Sequence, residues 1–178
     1  MKKILIWLAP VVLFGGILAV FFQGLRASPV EAESPMVGKP VPAFTLAGYN
    51  DLHPGLATSD LQQGGVTLVN VFGSWCPPCM VELPTLAALS EQHGVTIHAI
   101  AYRDTPEALD RAFRSRPNPF RRIGMDQRGE AVFSLGVTGA PETFIVDGKG
   151  IIRYRHVGEI RPDQIETILK RIEQARKL

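Results

Sequence analysis

Val66-Thr67-Leu68-Val69-Asn70-Val71-Phe72-Gly73-Ser74-Trp75-Cys76-Pro77-Pro78-Cys79 leads from a run of β-branched and aromatic residues into the chain's two cysteines. Val66 to Phe72 reads as a buried central strand. Pro77 to His93 reads as a helix, kinked by Pro84 and ended by Gly94. Two cysteines three positions apart at such a junction are placed for reversible disulfide chemistry. A sulfur at a helix N-terminus lies beside unpaired backbone N–H groups and the positive end of the dipole, which favours thiolate over thiol. The thiolate is the nucleophile, so the residues point first to a thiol–disulfide oxidoreductase. Cys76, nearest the helix start, is the attacking sulfur, and Cys79 resolves the mixed disulfide that it forms.

Two plainer readings are available for the pair. A permanent structural disulfide would close a loop too short to restrict the unfolded chain much. A zinc site would need about two more ligands, and His53, His93, His98 and His156 show no paired spacing. Neither a metal nor a cofactor beyond the redox-active Cys76–Cys79 pair is expected. Pro77 and Pro78 both lack a backbone N–H, so two donors near the Cys76 sulfur are missing. The thiolate is left with the N–H groups of Cys79 and Met80 and the dipole. A less stabilised thiolate gives up electrons more readily, which predicts a potential nearer thioredoxin's than a strong oxidant's. The plain alternative is that the prolines only stiffen the turn.

The N-terminus speaks to compartment. Lys2 and Lys3 precede Ile4 to Phe22, a run with no charged residue and roughly the length needed to span a bilayer. Basic residues before it and few just after it predict a cytoplasmic N-terminus with the rest outside. A cleaved signal peptide is the competing reading, for which Val30-Glu31-Ala32 offers a poor cleavage site. The expected organisation is a transmembrane anchor over 1–25, a proline-rich periplasmic linker over 26–39 and one domain over 40–178. That places the protein on the bacterial inner membrane, single-pass, on the oxidising periplasmic side. Lys and Arg number 19 against 17 Asp and Glu, a net charge of +2. The basic residues are scattered, which excludes nucleic acid as a partner. The densest patch, Arg111 to Arg122, is explained by a solvated face, and an anchored monomer is the default.

Downstream, the periodicity predicts strands over Val41–Leu46, Val95–Tyr102 and Phe120–Gly124, with a polar turn at Gly48-Tyr49-Asn50-Asp51. Thr105-Pro106-Glu107 opens a helix and Gly129–Leu135 forms a short one. Thr143–Val146 and Ile151–Val157 pair across Asp147-Gly148-Lys149-Gly150. Ile165, Ile168, Leu169 and Ile172 mark a C-terminal amphipathic helix. This order predicts an α/β fold, a mixed sheet flanked by helices.

Over about 40–178 the chain resembles the thioredoxin superfamily. More narrowly it resembles the membrane-anchored DsbE/CcmG proteins, the thiol–disulfide interchange proteins of cytochrome c maturation. The residues that carry this are Asn70 to Cys79, Glu82, Gly136-Val137-Thr138-Gly139-Ala140-Pro141-Glu142-Thr143-Phe144 and Gly150 to Gly158. The resemblance implies a thioredoxin-like fold and a reductant. Its substrate would be the Cys-x-x-Cys-His disulfide of apocytochrome c, reached directly or through a heme-ligation thiol protein. A membrane reductant of the DsbD or CcdA type would supply electrons. It also implies a cis peptide at Pro141, with the loop facing the cysteines and Thr138, Ala140 and Glu142 available to substrate.

The resemblance also implies that Asn70 stands where thioredoxins carry a buried aspartate; asparagine cannot take a proton from Cys79, which leaves room for another group to activate it. Glu82 lies one turn along the helix. Shielded from water its carboxyl would be pushed up and could act as base; exposed, it would be an ordinary helix residue. Glu142 suits substrate binding as well as proton transfer. Trp75 forms an apolar wall beside the pair or a plain core contact. The rival functions are an oxidase of the same fold, separated only by the direction of electron flow, and a thioredoxin-like metallochaperone, which the two-residue cysteine spacing disfavours.

Overall fold

The computed structural model describes residues 14–18, 22 and 34–178. The expected anchor lies outside the described residues except for 14–18 and 22, which are helical. Among the described residues no helix is long and apolar enough to cross a membrane. Ser34–Leu178 forms one unit.

Its strands are β1 (Thr45–Gly48), β2 (Leu56–Ala57), β3 (Thr67–Phe72), β4 (Thr96–Tyr102), β5 (Arg122–Asp126), β6 (Glu142–Val146) and β7 (Ile152–Val157). The helices are α1 (Pro77–His93), α2 (Pro106–Phe113), α3 (Glu130–Ser134) and α4 (Ile165–Arg176), with 3₁₀ turns at Thr58–Leu61 and Pro162–Gln164. The strands form one sheet in the order β2-β1-β5-β4-β3-β6-β7. β4 lies parallel to β3 and β5, and the other pairings are antiparallel. The mixed sheet and flanking helices are the thioredoxin-like architecture.

Every residue of β3 is buried, as its unbroken apolar run requires of a central strand. Leu68 and Phe72 face a core shared with Leu83 and Leu86 of α1 and Ile168 and Ile172 of α4. Val69 and Val71 face the other, with Leu61, Ile100, Val132 and Phe144. α1 runs unbroken through Pro84 and ends at Gly94, whose φ of 65° is the left-handed cap that glycine supplies.

Boundaries moved where backbone donors are missing. Pro40 and Pro42 cannot donate to a ladder, so the first strand starts at Thr45 rather than Val41. β2 was not anticipated. Gly55 makes it possible, since a Cβ there would lie 2.1 Å from the Leu46 carbonyl oxygen. β5 begins at Arg122 because Phe120 turns inward, its ring 4.8 Å from that of Phe72. Tyr49, expected in a polar turn, is buried and donates its hydroxyl to Asp110. Residues 34–39, read as linker, pack on the hairpin instead. Gly38 N–H donates to Ile152 O at 2.8 Å and Ile152 N–H to Lys39 O at 2.9 Å.

His98 lies at the far end of β4 from the cysteines, 4% exposed, with Nδ1 lacking a partner. Burial, then the Arg122 charge, pushes its pKa down to about 4, with Arg121 adding to the fall and Asp60 opposing it. The folded imidazole therefore binds fewer protons than the unfolded one, whose pKa is about 6.5. Its contribution to stability is full above that value and drains as pH falls towards 4. A His98→Leu variant should lose less stability than wild type between pH 6.5 and pH 4, measured by urea unfolding at both. An identical acid limb in the two proteins would show that His98 does not drive it.

Candidate active site

Cys76 sits where β3 ends, and its Sγ caps α1 by accepting the Cys79 N–H at 3.3 Å. Cys76 and Cys79 form a disulfide with Cα atoms 5.3 Å apart. Both cysteines are buried, Cys76 3% exposed and Cys79 fully covered, so the residue at the helix start is the less enclosed of the two. Met80 N–H, expected to serve the sulfur, donates to the Cys76 carbonyl at 3.2 Å. Pro77 and Pro78 offer no N–H. The Cys76 sulfur is thus left with one backbone donor.

Trp75 is not a core contact. It is 54% exposed, its Nε1 donates to Tyr102 O at 3.0 Å, and its ring meets Tyr102 edge-on. Gly73 lies so close beneath that a Cβ would come within 2.5 Å of the indole nitrogen. The indole is fixed along one edge and open to a partner on the other.

Glu82 is 1% exposed, which removes the reading of an ordinary surface residue. Asn70 Nδ2 donates to its Oε1 at 2.9 Å and Ile160 N–H to its Oε2 at 3.1 Å. Asn70 also donates to the Thr143 hydroxyl. Burial pushes the Glu82 carboxyl up to about 7; the Ile160 and Asn70 hydrogen bonds resist this, and the Glu159 charge adds to it. A carboxyl poised there, one turn beyond Cys79, can take or give a proton near neutrality.

The Ala140–Pro141 bond is cis, and the Ala140 carbonyl oxygen lies 3.5 Å from Cys76 Sγ. The loop thus reaches the redox pair. Glu142, at the foot of that loop, is fully buried and bound within it. Its carboxylate accepts from Thr138 N–H (2.8 Å), the Thr138 hydroxyl (2.7 Å), Gly139 N–H (3.2 Å) and Arg155 Nε and Nη2 (both 2.7 Å). Arg155 Nη2 also donates to the Thr138 hydroxyl oxygen at 3.0 Å. With four donors on Oε1 and one on Oε2, Glu142 anchors the 138–141 loop. Thr138 spends its N–H and hydroxyl in the same network, leaving Ala140 as the loop residue that faces the sulfur. Arg155 was missed by sequence reasoning. Its place opposite Phe144, diagonal to Glu142, depends on the β6–β7 register. Among the described residues no group of three or more His, Cys, Asp or Glu side chains could hold a metal.

A redox-active cysteine pair capping a helix, faced by a cis-proline loop on a thioredoxin-like sheet, defines a thiol–disulfide oxidoreductase. Residues 36–170 match the Redoxin family. The chain is 44% identical over 145 residues to the thiol:disulfide interchange protein DsbE of Pseudomonas aeruginosa, covering 81% of this chain and 79% of that one. It is 39% identical to the Allochromatium vinosum protein of the same name, covering 93% of each. For the Escherichia coli K12 protein the identity is 36%, covering 95% and 92%. A DsbE-type structure from Chlorobium tepidum superposes with a TM-score of 0.65 at 27% identity, over 79% of this chain and 97% of that one. The chain belongs to the DsbE thiol:disulfide interchange proteins within the Redoxin family.

Two outcomes follow from these carboxyls. Arg155→Met strands a buried carboxylate and should cost about 3 kcal/mol by denaturant unfolding, against about 1 kcal/mol for Thr138→Val. Glu82 holds its proton in the folded state up to about pH 7 but in the unfolded state only to about 4.3. Its stabilising contribution is therefore full at low pH and lost as pH rises through 7. Glu82→Gln should abolish a decline of at most about 3 kcal/mol between pH 4.5 and 7.5; an unchanged slope would show that Glu82 does not titrate there.

Proposed function

We propose that this protein is a membrane-tethered periplasmic reductant acting in cytochrome c maturation. Its target is the Cys-x-x-Cys-His disulfide of apocytochrome c, or that of a partner thiol protein which then acts on it. A membrane reductant of the DsbD or CcdA type returns electrons to the Cys76–Cys79 pair. The disulfide is the only redox group the reading requires, and the working form is an anchored monomer.

In the reduced state the Cys76 thiolate attacks one sulfur of the target disulfide. A Cys76–target bond forms and the other target sulfur leaves as thiolate. Cys79 loses its proton, for which the Glu82 carboxylate is the nearby acceptor, and attacks the Cys76 sulfur. That releases the second target thiolate and restores the Cys76–Cys79 disulfide. Two electrons have passed to the target, leaving it with the two free thiols that heme attachment needs. Exposed Trp75 and the Ala140 backbone offer the target segment a contact on either side of Cys76.

The observation that carries the direction of flow is the poverty of donors at Cys76: a single backbone N–H reaches its sulfur. The reduction potential of the pair, equilibrated against a glutathione buffer, should fall well below about −180 mV. The reduced protein should also reduce an oxidised Cys-x-x-Cys-His peptide. A potential near about −120 mV, that of a strong oxidant, would overturn the reading. Replacing Pro78 by histidine should raise the potential; if it does not, donor poverty is not its cause.

A further inference from the structure

Asp104, in the loop after β4, is 3% exposed and grips the segment that delivers Cys76. Its Oδ2 accepts the Ser74 N–H at 2.5 Å, and its Oδ1 accepts the Ser74 hydroxyl and the Thr105 N–H, both at 2.8 Å. The end of β4 accepts the Trp75 indole N–H through Tyr102 O. The loop is held in turn. Gln127 Nε2 donates to Asp104 O, and Arg103 N–H donates to Asp126 O at 3.1 Å. Arg103 adopts a φ of 48°, a conformation uncommon for a non-glycine residue.

The contrast with Glu142 is one of charge. Glu142 is matched by the Arg155 guanidinium. The three donors to Asp104 are neutral, and the nearest basic residue in sequence, Arg103, lays its guanidinium over the Tyr102 ring at 5.2 Å. Hydrogen bonds from neutral dipoles hold a carboxylate in place without cancelling its field. Cys76 follows Ser74, which Asp104 holds, by two residues, and reduction there turns a neutral disulfide into a thiolate, so a fixed negative charge penalises the reduced form alone.

We infer that Asp104 is a positioning residue that also tunes the pair: it fixes Ser74 and Trp75, and its charge makes Cys76–Cys79 a stronger reductant. The inference deepens the reading of this site as a reductant. The tested reaction is balanced: oxidised protein and two glutathione thiols give reduced protein and one glutathione disulfide.

The experiment compares full-chain wild type, Asp104→Asn and Ser74→Ala in that equilibrium, with the Cys76 thiolate followed by the pH profile of alkylation. Asp104→Asn removes the charge and, because an amide nitrogen cannot accept, also one acceptor for these N–H groups; Ser74→Ala and Asp104→Glu separate the two effects. It should move the equilibrium about tenfold towards reduced protein, a rise of about 30 mV, and shift the alkylation profile to lower pH. Ser74→Ala removes one hydrogen bond and keeps the charge, so it should stay within about twofold of wild type. Asp104→Glu retains the charge if the asparagine variant folds poorly, and it should also stay near wild type. Asp104→Asn within about twofold of wild type overturns the inference. So does an equal shift in Ser74→Ala or Asp104→Glu, which would mean that geometry alone matters. The reductant reading depends on the wild-type value and this inference on the difference between variants, so the two can fail separately.

Discussion

The Cys76 sulfur is asked to do two things at once. It is the N-cap of α1 and half of the disulfide, and one N–H from Cys79 serves both roles. An acceptor at the N-cap satisfies a donor that the first helical turn cannot, so the local structure itself brings that N–H to the sulfur. Because Pro77 and Pro78 occupy the next two positions, the helix can begin there without orphaning further donors. The same economy deprives the sulfur of hydrogen bonds. Helix initiation and electron-donating character therefore share one cause.

Around that point the sheet supplies position and the loops supply restraint. β3 sets the height of Cys76 through its burial between two cores. Asp104 holds the segment entering the motif, and Glu142 with Arg155 holds the loop that faces it. Glu82 lies beneath Cys79 in contact with Asn70. Three buried carboxyls thus hold the segments around one disulfide in different states of compensation: Glu142 by a guanidinium, Asp104 by neutral donors, and Glu82 by resisting ionisation. Burying such groups is costly unless each is satisfied, and the hydrogen bonds on each keep that cost down.

The sequence carried the central part of this plainly. An unbroken β-branched run, two adjacent prolines after Cys76 and a glycine after His93 specify strand, junction and helix locally, and α1 spans the expected residues. What lay hidden depends on contacts across the fold. β2 exists because Gly55 lets two backbones approach, and no periodicity marks it. Tyr49 looks like turn polarity until Asp110, far along the chain, takes its hydroxyl. At the site, Cys76, Cys79 and the cis Pro141 could be placed beforehand. Glu142 could be named but not understood, because its role depends on Arg155 being carried past it by the register of β7. Asp104 gave no signal, since an aspartate before Thr-Pro looks like ordinary helix-start chemistry.

The cysteine motif is thus tied by hydrogen bonds on the segment that enters it and on the loop that faces it. A site held by this many contacts has little room to mould itself to what it meets. Whatever adaptation an encounter needs falls to the other molecule, and an unfolded segment can bend its disulfide into line at little cost. A disulfide locked inside a finished domain cannot. Under the proposed function, such restraint would discriminate by foldedness, favouring chains that have not yet acquired their structure.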